Sequence, residues 1–268
     1  MPPPAAPRSP APGAPLWDSG AIPAATVVVL RDAVDGVEVL LLRRDRELSF
    51  AGGMWVFPGG RIDAEDHDPP RAADPTTHDP APDEGTTHDP ALDEGTTHDA
   101  ALEVAARRAA VREAAEEAGL ALAPNELRRW SHWTPPPQSP KRFSTAFFVA
   151  PLPLGAPEVA IDHGEIRDHR WVAPATVLEL RDAGEVGLTP PTFITLSQLL
   201  PHRDVAAALA HARSLTTIEH FATRICVRDD EILALYHGDA GYGSGDVGTT
   251  GPRHRLTMGT RWHYERTA

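Results

Sequence analysis

Residues 112–120 read REAAEEAGL. They close an alanine-rich segment, residues 100–118, in which arginine and glutamate recur without any glycine or proline. Such a composition predicts a helix. Asp99 is expected to be its N-cap, and Gly119 is expected to follow its last turn. The rest of the chain is interpreted outward from this helix.

One face of the predicted helix carries three carboxylates, because positions three and four apart are neighbours on a helix; they are Glu113, Glu116 and Glu117. Carboxylates packed this closely repel one another unless a cation neutralises them. Mg²⁺ and Mn²⁺ are hard, oxygen-seeking cations that also bind substrate phosphate oxygens. The alternative is a solvated, glutamate-rich helix face, and the helix taken alone slightly favours that alternative.

A second motif, FPGGRIDAED at residues 57–66, lies upstream. The two motifs together resemble the signature of the Nudix hydrolase family, which has the MutT-like fold and whose second half is REUxEExGU, with U an aliphatic residue. Gly60 matches the first glycine of that signature, and Asp66 stands where the family has glutamate. An acidic segment separates the halves here, so the family spacing is not kept. The resemblance implies an α+β fold, the Nudix α/β/α sandwich with a mixed central sheet.

Other segments are similar to one Nudix subfamily, the coenzyme A diphosphatase type known as Nudix motif 19, which also carries an insertion inside the signature. These segments are residues 40–60, 133–150, 165–180 and 188–199. The resemblance implies hydrolysis of a nucleoside diphosphate linked to another moiety, with coenzyme A or acyl-coenzyme A as the leading substrate. ADP-ribose or another nucleotide sugar is the runner-up. A non-catalytic Nudix-fold nucleotide-binding regulator is less favoured, because such modules usually lose the glutamates kept here.

Roles carried over position by position describe a metal-dependent diphosphatase. The resemblance implies that Mg²⁺ or Mn²⁺ is bound by a carbonyl of Gly59 or Gly60 and by three carboxylates, those of Glu113, Glu116 and Glu117. Arg112 would pair with a carboxylate of the signature and orient it. Glu165, six residues before Trp171, would be a further ligand or the general base. Metal-activated water would then attack one phosphorus of the diphosphate.

Candidate substrate contacts fall in two places. The coenzyme A subfamily has an arginine-and-glycine motif before the signature, which this chain matches loosely through Arg44. Lys141 and Arg142 precede a strand that crosses the expected cleft, and they could meet remote phosphates. Trp130, Trp133 and Phe143 could stack on a base, although aromatic side chains in strands more often belong to the core.

Charge and cysteine content limit the classes of partner and the cellular compartment that we expect. Of the net charge of −13, the segment from Asp63 to Glu103 carries −12, with thirteen acidic residues and only Arg71 as a basic one. The remaining body is nearly neutral and has no basic stripe, so nucleic acid is not expected as a partner. No apolar run is long enough to span a membrane, and no secretory signal is evident. The single cysteine fits a reducing cytoplasm. The assembly state stays open, with a homodimer as one alternative.

The chain is expected to have a disordered proline- and alanine-rich tail over residues 1–22 and a single domain over residues 23–268. An acidic insertion over about residues 64–99 contains a tandem ten-residue unit, in which His78, His88 and His98 are in register. This unit is interpreted as a solvated, mostly disordered loop rather than a metal site, because no folded scaffold would fix ligand geometry. A C-terminal extension of helices and strands begins at about residue 189, and its last strand is expected around residues 254–265.

Overall fold

The computed structural model describes residue 17 and residues 20–48, 51–67 and 90–267; over residues 90–98 it describes the backbone alone. Within these ranges no helix is long and apolar enough to cross a membrane. The described residues form two sheets and four α-helices, which confirms the mixed α and β composition predicted from the sequence.

The larger sheet has eight strands: β1 (Ile22–Ala33), β2 (Gly36–Arg44), β3 (Trp55–Val56), β4 (Gly59–Arg61), β5 (Arg128–Thr134), β6 (Phe143–Pro151), β7 (Ile166–Val172) and β8 (Glu219–Ala222). Their order is β3-β2-β1-β6-β5-β8, with β4 paired to β1 and β7 paired to β2. The pairs β1–β6 and β5–β8 are parallel and the other pairs are antiparallel, so the sheet is mixed. Alternate residues of the apolar strands β1 and β6 face opposite sides, and both sides are buried.

Helix α1 (Pro90–Ala118) covers one side of this sheet. Its buried positions recur every three or four residues and are mostly alanines: Ala105, Ala106, Ala109, Ala110, Ala114 and Ala118. Small side chains let the helix axis approach the sheet closely, where the alanines pack against Ala25, Val27 and Leu42. This close approach fixes the height of the glutamates on the last turns of α1 above the strand ends.

The opposite side of the sheet is covered by helices and by a second sheet. The helices are α2 (Pro174–Asp182), α3 (Pro190–Leu199) and α4 (Val205–Ser214). The second sheet is antiparallel and contains β9 (Arg224–Arg228), β10 (Glu231–Leu235), β11 (His254–Met258) and β12 (Trp262–Arg266). All of these elements except β9 contribute to one apolar cluster with β1 and β6. The result is the three-layer sandwich that the resemblance implied, with the C-terminal extension packed into its outer layer.

Helix α1 begins about ten residues before its predicted start. The prediction of Asp99 as N-cap is therefore wrong, because this residue lies inside the helix. Proline is well accommodated at a first helical position, as at Pro90.

The predicted insertion is described only at its two ends. Residues 64–66 form a short 3-10 turn and residues 90–99 belong to α1, so the prediction of a loop is wrong at both ends. The middle of the insertion, with His78 and His88, lies outside the described residues. The prediction for the N-terminal tail likewise falls mostly outside them.

Two terminal segments differ from the sequence-based expectation. Trp17, within the predicted disordered tail, is buried against the α1 side of the sheet, with its ring edge-on to His132 at 4.8 Å between centroids. Apolar burial of this one large ring outweighs the polyproline character of its neighbours. At the other end, β8 was not predicted, and the single strand predicted around residues 254–265 is a hairpin of two strands.

Candidate active site

The last turns of α1 present three glutamates with different exposure. Glu117 is almost fully buried, Glu113 is mostly buried, and Glu116 has 58% of its side chain exposed. The helix ends as predicted: Gly119 has a φ of +68°, and its N–H and that of Leu120 donate to carbonyls of the last helical turn. This left-handed cap stops the helix directly after the glutamates and turns the chain away from them.

Arg112 joins the two halves of the interrupted motif. Its guanidinium donates to both carboxylate oxygens of Asp66, at 2.9 Å from Nη2 and 3.2 Å from Nε. Its Nη1 also donates to Glu113 Oε1 at 3.0 Å and to Glu116 Oε2 at 3.1 Å. The pKa of Arg112 is raised, chiefly by the hydrogen bond to Asp66, so its charge is permanent. Arg112 thus forms hydrogen bonds with carboxylates from both halves of the motif.

The Pro-Gly-Gly segment lies directly against these glutamates. The Gly59 N–H donates to Glu117 Oε2 at 3.0 Å. A Cβ atom on Gly60 would lie 2.2 Å from Glu113 Oε1, and one on Gly59 would lie 2.5 Å from the Ala25 carbonyl oxygen. Neither position has room for a side chain. The two glycines are required because the strand and the glutamates approach each other this closely.

Burial changes the acidity of two of the glutamates. Desolvation raises the pKa of Glu117 to about 8, although the Gly59 N–H opposes the shift. Desolvation also raises the pKa of Glu113, and the Arg112 charge opposes that shift. Carboxylates in such surroundings are stabilised as anions by a nearby cation. This electrostatic arrangement is typical of functional sites rather than of a solvated helix face.

Glu165 approaches the same region from the start of β7. Its carboxylate is 59% exposed and accepts a hydrogen bond from Arg44 Nη2 at 3.0 Å. Asp162 holds the turn before β7, because its carboxylate accepts the N–H groups of Glu165 and Ile166. Arg44 Nη1 lies 3.8 Å from Glu117 Oε1. The candidate base is therefore linked to α1 through a single arginine.

These groups form one wall of an open cleft of about 660 Å³. The floor includes Ala24 and Thr26 of β1 and Thr145 of β6. Further along each strand, Val28 and Val149 lie on the same sheet face and belong to the apolar core. The cleft therefore lies over the ends of these strands, which the helices on this face do not cover.

Four substrate contacts were predicted, and three of them line the cleft: Arg44, Lys141 and Phe143. The Lys141 ammonium lies 5.2 Å from the Phe143 ring centroid, so the two form one side of the cleft. Arg142 is not among the lining residues, and its Nη1 donates to the Gly20 carbonyl at 3.4 Å. The base-stacking alternative is wrong for Trp130 and Trp133, which are buried in the apolar core and do not line the cleft.

Sequence reasoning missed several cleft residues: Ile22, Ala24, Thr26, Leu48, Arg61, Asp63, Thr145 and Asp162. A signal existed for Thr26, since a hydroxyl that interrupts an apolar strand indicates a place where the strand is not covered. Arg61 and Asp63 followed the recognised glycines in the chain and could have been included on that ground.

The oxygen atoms of the glutamates and the Pro-Gly-Gly segment are candidate donors to a divalent cation. Across the described ranges, no three histidine, cysteine, aspartate or glutamate side chains are already arranged as an ion site. Glu113 and Glu116 instead share Arg112, and Glu117 accepts the Gly59 N–H. The groups nevertheless fit Mg²⁺ or Mn²⁺ chemically, because they are carboxylate and carbonyl oxygens, two of the carboxylates are desolvated, and a glycine lies against Glu113.

Residues 101–190 match the family model described as "NUDIX domain". The matched range begins inside α1, so the Pro-Gly-Gly half of the motif lies upstream of it. This match confirms the Nudix resemblance drawn from the two motifs.

Curated relatives are similar over most of the chain. The acyl-coenzyme A diphosphatase NUDT19 of Xenopus laevis is 26% identical over 269 residues, covering 75% of this chain and 70% of the relative. The protein of the same name from Homo sapiens is 27% identical over 274 residues, covering 78% and 73%. Among solved structures, a NUDIX hydrolase from Alicyclobacillus acidocaldarius superposes with a TM-score of 0.52 at 24% identity, over 74% of this chain and 97% of that chain. The last similarity confirms the fold.

Proposed function

We propose that this Nudix-domain chain is a hydrolase that cleaves the diphosphate bond of a nucleoside diphosphate derivative, with coenzyme A or acyl-coenzyme A as the substrate class. The observation that carries the proposal is the convergence of four carboxylates, from α1 and β7, on one wall of an open cleft beside Gly59 and Gly60. A solvated helix face would not bury Glu117 or pack a glycine against Glu113.

The cation would be Mg²⁺ or Mn²⁺, held by the Gly60 carbonyl and the carboxylates of Glu113, Glu116 and Glu117. When bound, it would supply positive charge to the phosphate oxygens and lower the pKa of the attacking water. The Gly59 N–H fixes Glu117 Oε2, and Glu117 Oε1 lies 3.8 Å from Arg44 Nη1. Arg112 keeps Glu113 and Glu116 close to the Pro-Gly-Gly segment through its bonds to both.

Glu165 is our candidate for the general base. Its Oε2 accepts a hydrogen bond from Arg44, so Oε1 remains available to take a proton from water. The carboxylate is exposed at the open side of the cleft, where water and substrate enter together. A base within hydrogen-bond reach of the attacking water contributes roughly 10²- to 10⁴-fold to a rate.

Coenzyme A chemistry is favoured by two independent points. The two relatives described above are acyl-coenzyme A diphosphatases by name and are similar over about three quarters of this chain. The cleft also continues past the carboxylates to Lys141 and Phe143, which offer a cation for a remote phosphate and a ring for a base. A cation held at the reacting diphosphate would explain why a nearly neutral body suffices for an anionic substrate.

The proposal includes a single domain from residue 23 to residue 268, since one apolar cluster joins the C-terminal sheet to β1 and β6. The single cysteine supports a reducing, cytoplasmic location. The predicted partner is a small molecule, and neither nucleic acid nor a membrane is involved. Whether two copies associate is decided by measuring the mass in solution.

A turnover assay tests the proposal. Purified protein is incubated with Mg²⁺ or Mn²⁺ and, separately, coenzyme A, acetyl-coenzyme A, ADP-ribose, NADH and diadenosine polyphosphates, and the products are separated by chromatography. We expect cleavage of the coenzyme A compounds at the diphosphate, lost with EDTA and restored by added metal. If the protein cleaves ADP-ribose in preference to the coenzyme A compounds, ADP-ribose becomes the proposed substrate class. Binding without turnover of any compound would favour a non-catalytic nucleotide-binding module.

A further inference from the structure

Arg44 occupies an unusual position at the end of a buried row. It follows Leu40 and Leu42 on the β2 face that packs against α1, and both leucines are fully buried. Arg44 itself has only 16% of its side chain exposed. An arginine at the end of an apolar row needs partners for its charge, because burying an unpaired charge is costly.

Both terminal nitrogens of Arg44 face carboxylates from elements distant in sequence. Nη2 donates to Glu165 at 3.0 Å, and Nη1 lies 3.8 Å from Glu117. Nε is buried and has no hydrogen-bond partner among the described residues. A planar guanidinium holds two carboxylates in a fixed relation to each other, whereas an ammonium is a single point charge. The two carboxylates are therefore separated by the width of one side chain.

The backbone around Arg44 is fixed as well. Its N–H donates to the Met54 carbonyl and its carbonyl accepts the Gly53 N–H, which closes the base of the following loop. The pairing of β2 with β7 also shifts by one residue between Arg43 and Arg44, so Ile166 lies opposite Arg44 where Arg167 would stand in regular pairing. The irregularity brings Glu165 beside the end of β2, where its carbonyl accepts the Asp45 N–H. Such irregularities re-aim side chains at sheet ends.

We propose that Arg44 is a positioning residue rather than a substrate contact: it holds the general base Glu165 at a set distance from the metal-binding Glu117. This inference rests on the proposed function and adds to it, because it assigns the spacing between base and metal to one side chain. It also revises the sequence-based interpretation of Arg44 as a substrate contact. The expected kinetic consequence is a loss of turnover with substrate binding largely kept.

A kinetic double-mutant cycle tests the link to Glu165, with coenzyme A as substrate and Mn²⁺ as the metal. Arg44→Gln is expected to lower kcat about 10- to 100-fold while KM changes by less than about threefold. Arg44→Lys should recover only part of this loss, since an ammonium cannot hold both carboxylates. In the Glu165→Gln background, Arg44→Gln should cost little more, because the base to be positioned is gone. Arg31→Gln, which breaks an arginine–glutamate pair elsewhere on the same sheet, should leave kcat unchanged.

Melting temperatures in EDTA test the link to Glu117 without any turnover. Arg44→Gln alone should lower the melting temperature by about 3 °C or more, and by less than half as much in the Glu117→Gln background. Additive effects in either cycle, or a raised KM with unchanged kcat in Arg44→Gln, would overturn the inference. If the unmodified protein cleaves none of the diphosphates, the proposed function fails, and the melting cycle alone then decides whether Arg44 holds the buried carboxylate.

Discussion

Arg112 and Asp66, 46 positions apart in the chain, form a two-pronged ion pair, with Nη2–Oδ2 at 2.9 Å and Nε–Oδ1 at 3.2 Å. Asp66 is 3% exposed, so this pair is almost removed from water. It restores in space a motif that the acidic insertion separates in sequence. The same guanidinium donates to the Arg61 carbonyl, so Arg112 ties the glutamates of α1 to the segment before the insertion.

Arg112→Gln should destabilise the protein strongly. The buried Asp66 carboxylate would lose its counter-charge, and breaking a buried ion pair on one side typically costs about 3–5 kcal/mol. Urea unfolding followed by circular dichroism measures the loss. The matched control is Arg203→Gln, whose pair with Asp204 is exposed and should contribute less than about 0.5 kcal/mol. Equal losses in the two variants would contradict this account of Asp66.

Gly60→Ala should weaken metal binding while the protein stays folded. The added Cβ would lie 2.2 Å from Glu113 Oε1, so the carboxylate must move away. Displacing one ligand should reduce the Mn²⁺ affinity about tenfold or more, measured by isothermal titration calorimetry. Gly243→Ala is the control, because a Cβ there meets no atom within 4 Å. An unchanged affinity in Gly60→Ala would remove Glu113 from the proposed ligands.

Trp17→Ala should reduce stability although Trp17 lies in a segment predicted to be disordered. Its ring is 9% exposed and packs on the α1 side of the sheet, and the Arg129 guanidinium lies 5.9 Å from it. Removing a buried tryptophan typically costs about 3–5 kcal/mol. Val34→Ala, at a fully exposed turn, should change the free energy of unfolding by less than about 0.5 kcal/mol. If the two variants are equally stable, Trp17 does not hold the segment in solution.

Burial of His254 should contribute a loss of stability as the pH is lowered from 7 to 5. Burial lowers the pKa of His254 to about 4, against 6.5 for an unburied histidine. Between these values the unfolded chain binds a proton that the folded protein does not, so acid favours unfolding. At pH 5 this difference amounts to about 2 kcal/mol. The free energy of unfolding is measured in urea at both pH values.

His254→Gln provides the comparison for that pH dependence. It should lose stability at pH 7, because the ring nitrogens meet the His237 carbonyl and the Tyr264 hydroxyl in the folded protein. The free energy of unfolding at pH 5 minus that at pH 7 should be more positive in this variant than in the unmodified chain. An equal or more negative difference would show that His254 does not contribute to the acid sensitivity.

The helix of the site was predictable because its signal is local. Spacing of three and four residues put Glu113, Glu116 and Glu117 on one face, and Gly119 marked the end. The start of the same helix was not predictable in this way, because a tandem polar repeat resembles a loop whether or not a helix runs through its last unit. Local preference decided the end of α1, and only the folded chain showed its beginning.

The partners of Arg44 and Trp17 could not be predicted from sequence spacing. Glu165 is 121 positions from Arg44, and the irregular pairing of β2 with β7 decides that the two meet. Trp17 was hidden by the composition of its neighbours, since one large ring changes the energy of a segment more than its average hydropathy. The pairing of the second sheet was not predicted. Its strands pack beside α2, α3 and α4, and that arrangement is visible only in the folded chain.

The distance between Asp66 and the first residue of α1 sets a minimum length for the segment that connects them. Arg108, which donates to the Asp66 carbonyl, is about 27 Å along the helix axis from Pro90, at 1.5 Å per residue. Residues 68–89 would reach about 70 Å if fully extended. Loss of one ten-residue unit would still leave a chain of about 40 Å, whereas loss of two would leave too little to connect the ends without unwinding the helix. The repeat can therefore shrink by one copy, and grow by several at slight entropic cost, while both halves of the site stay joined.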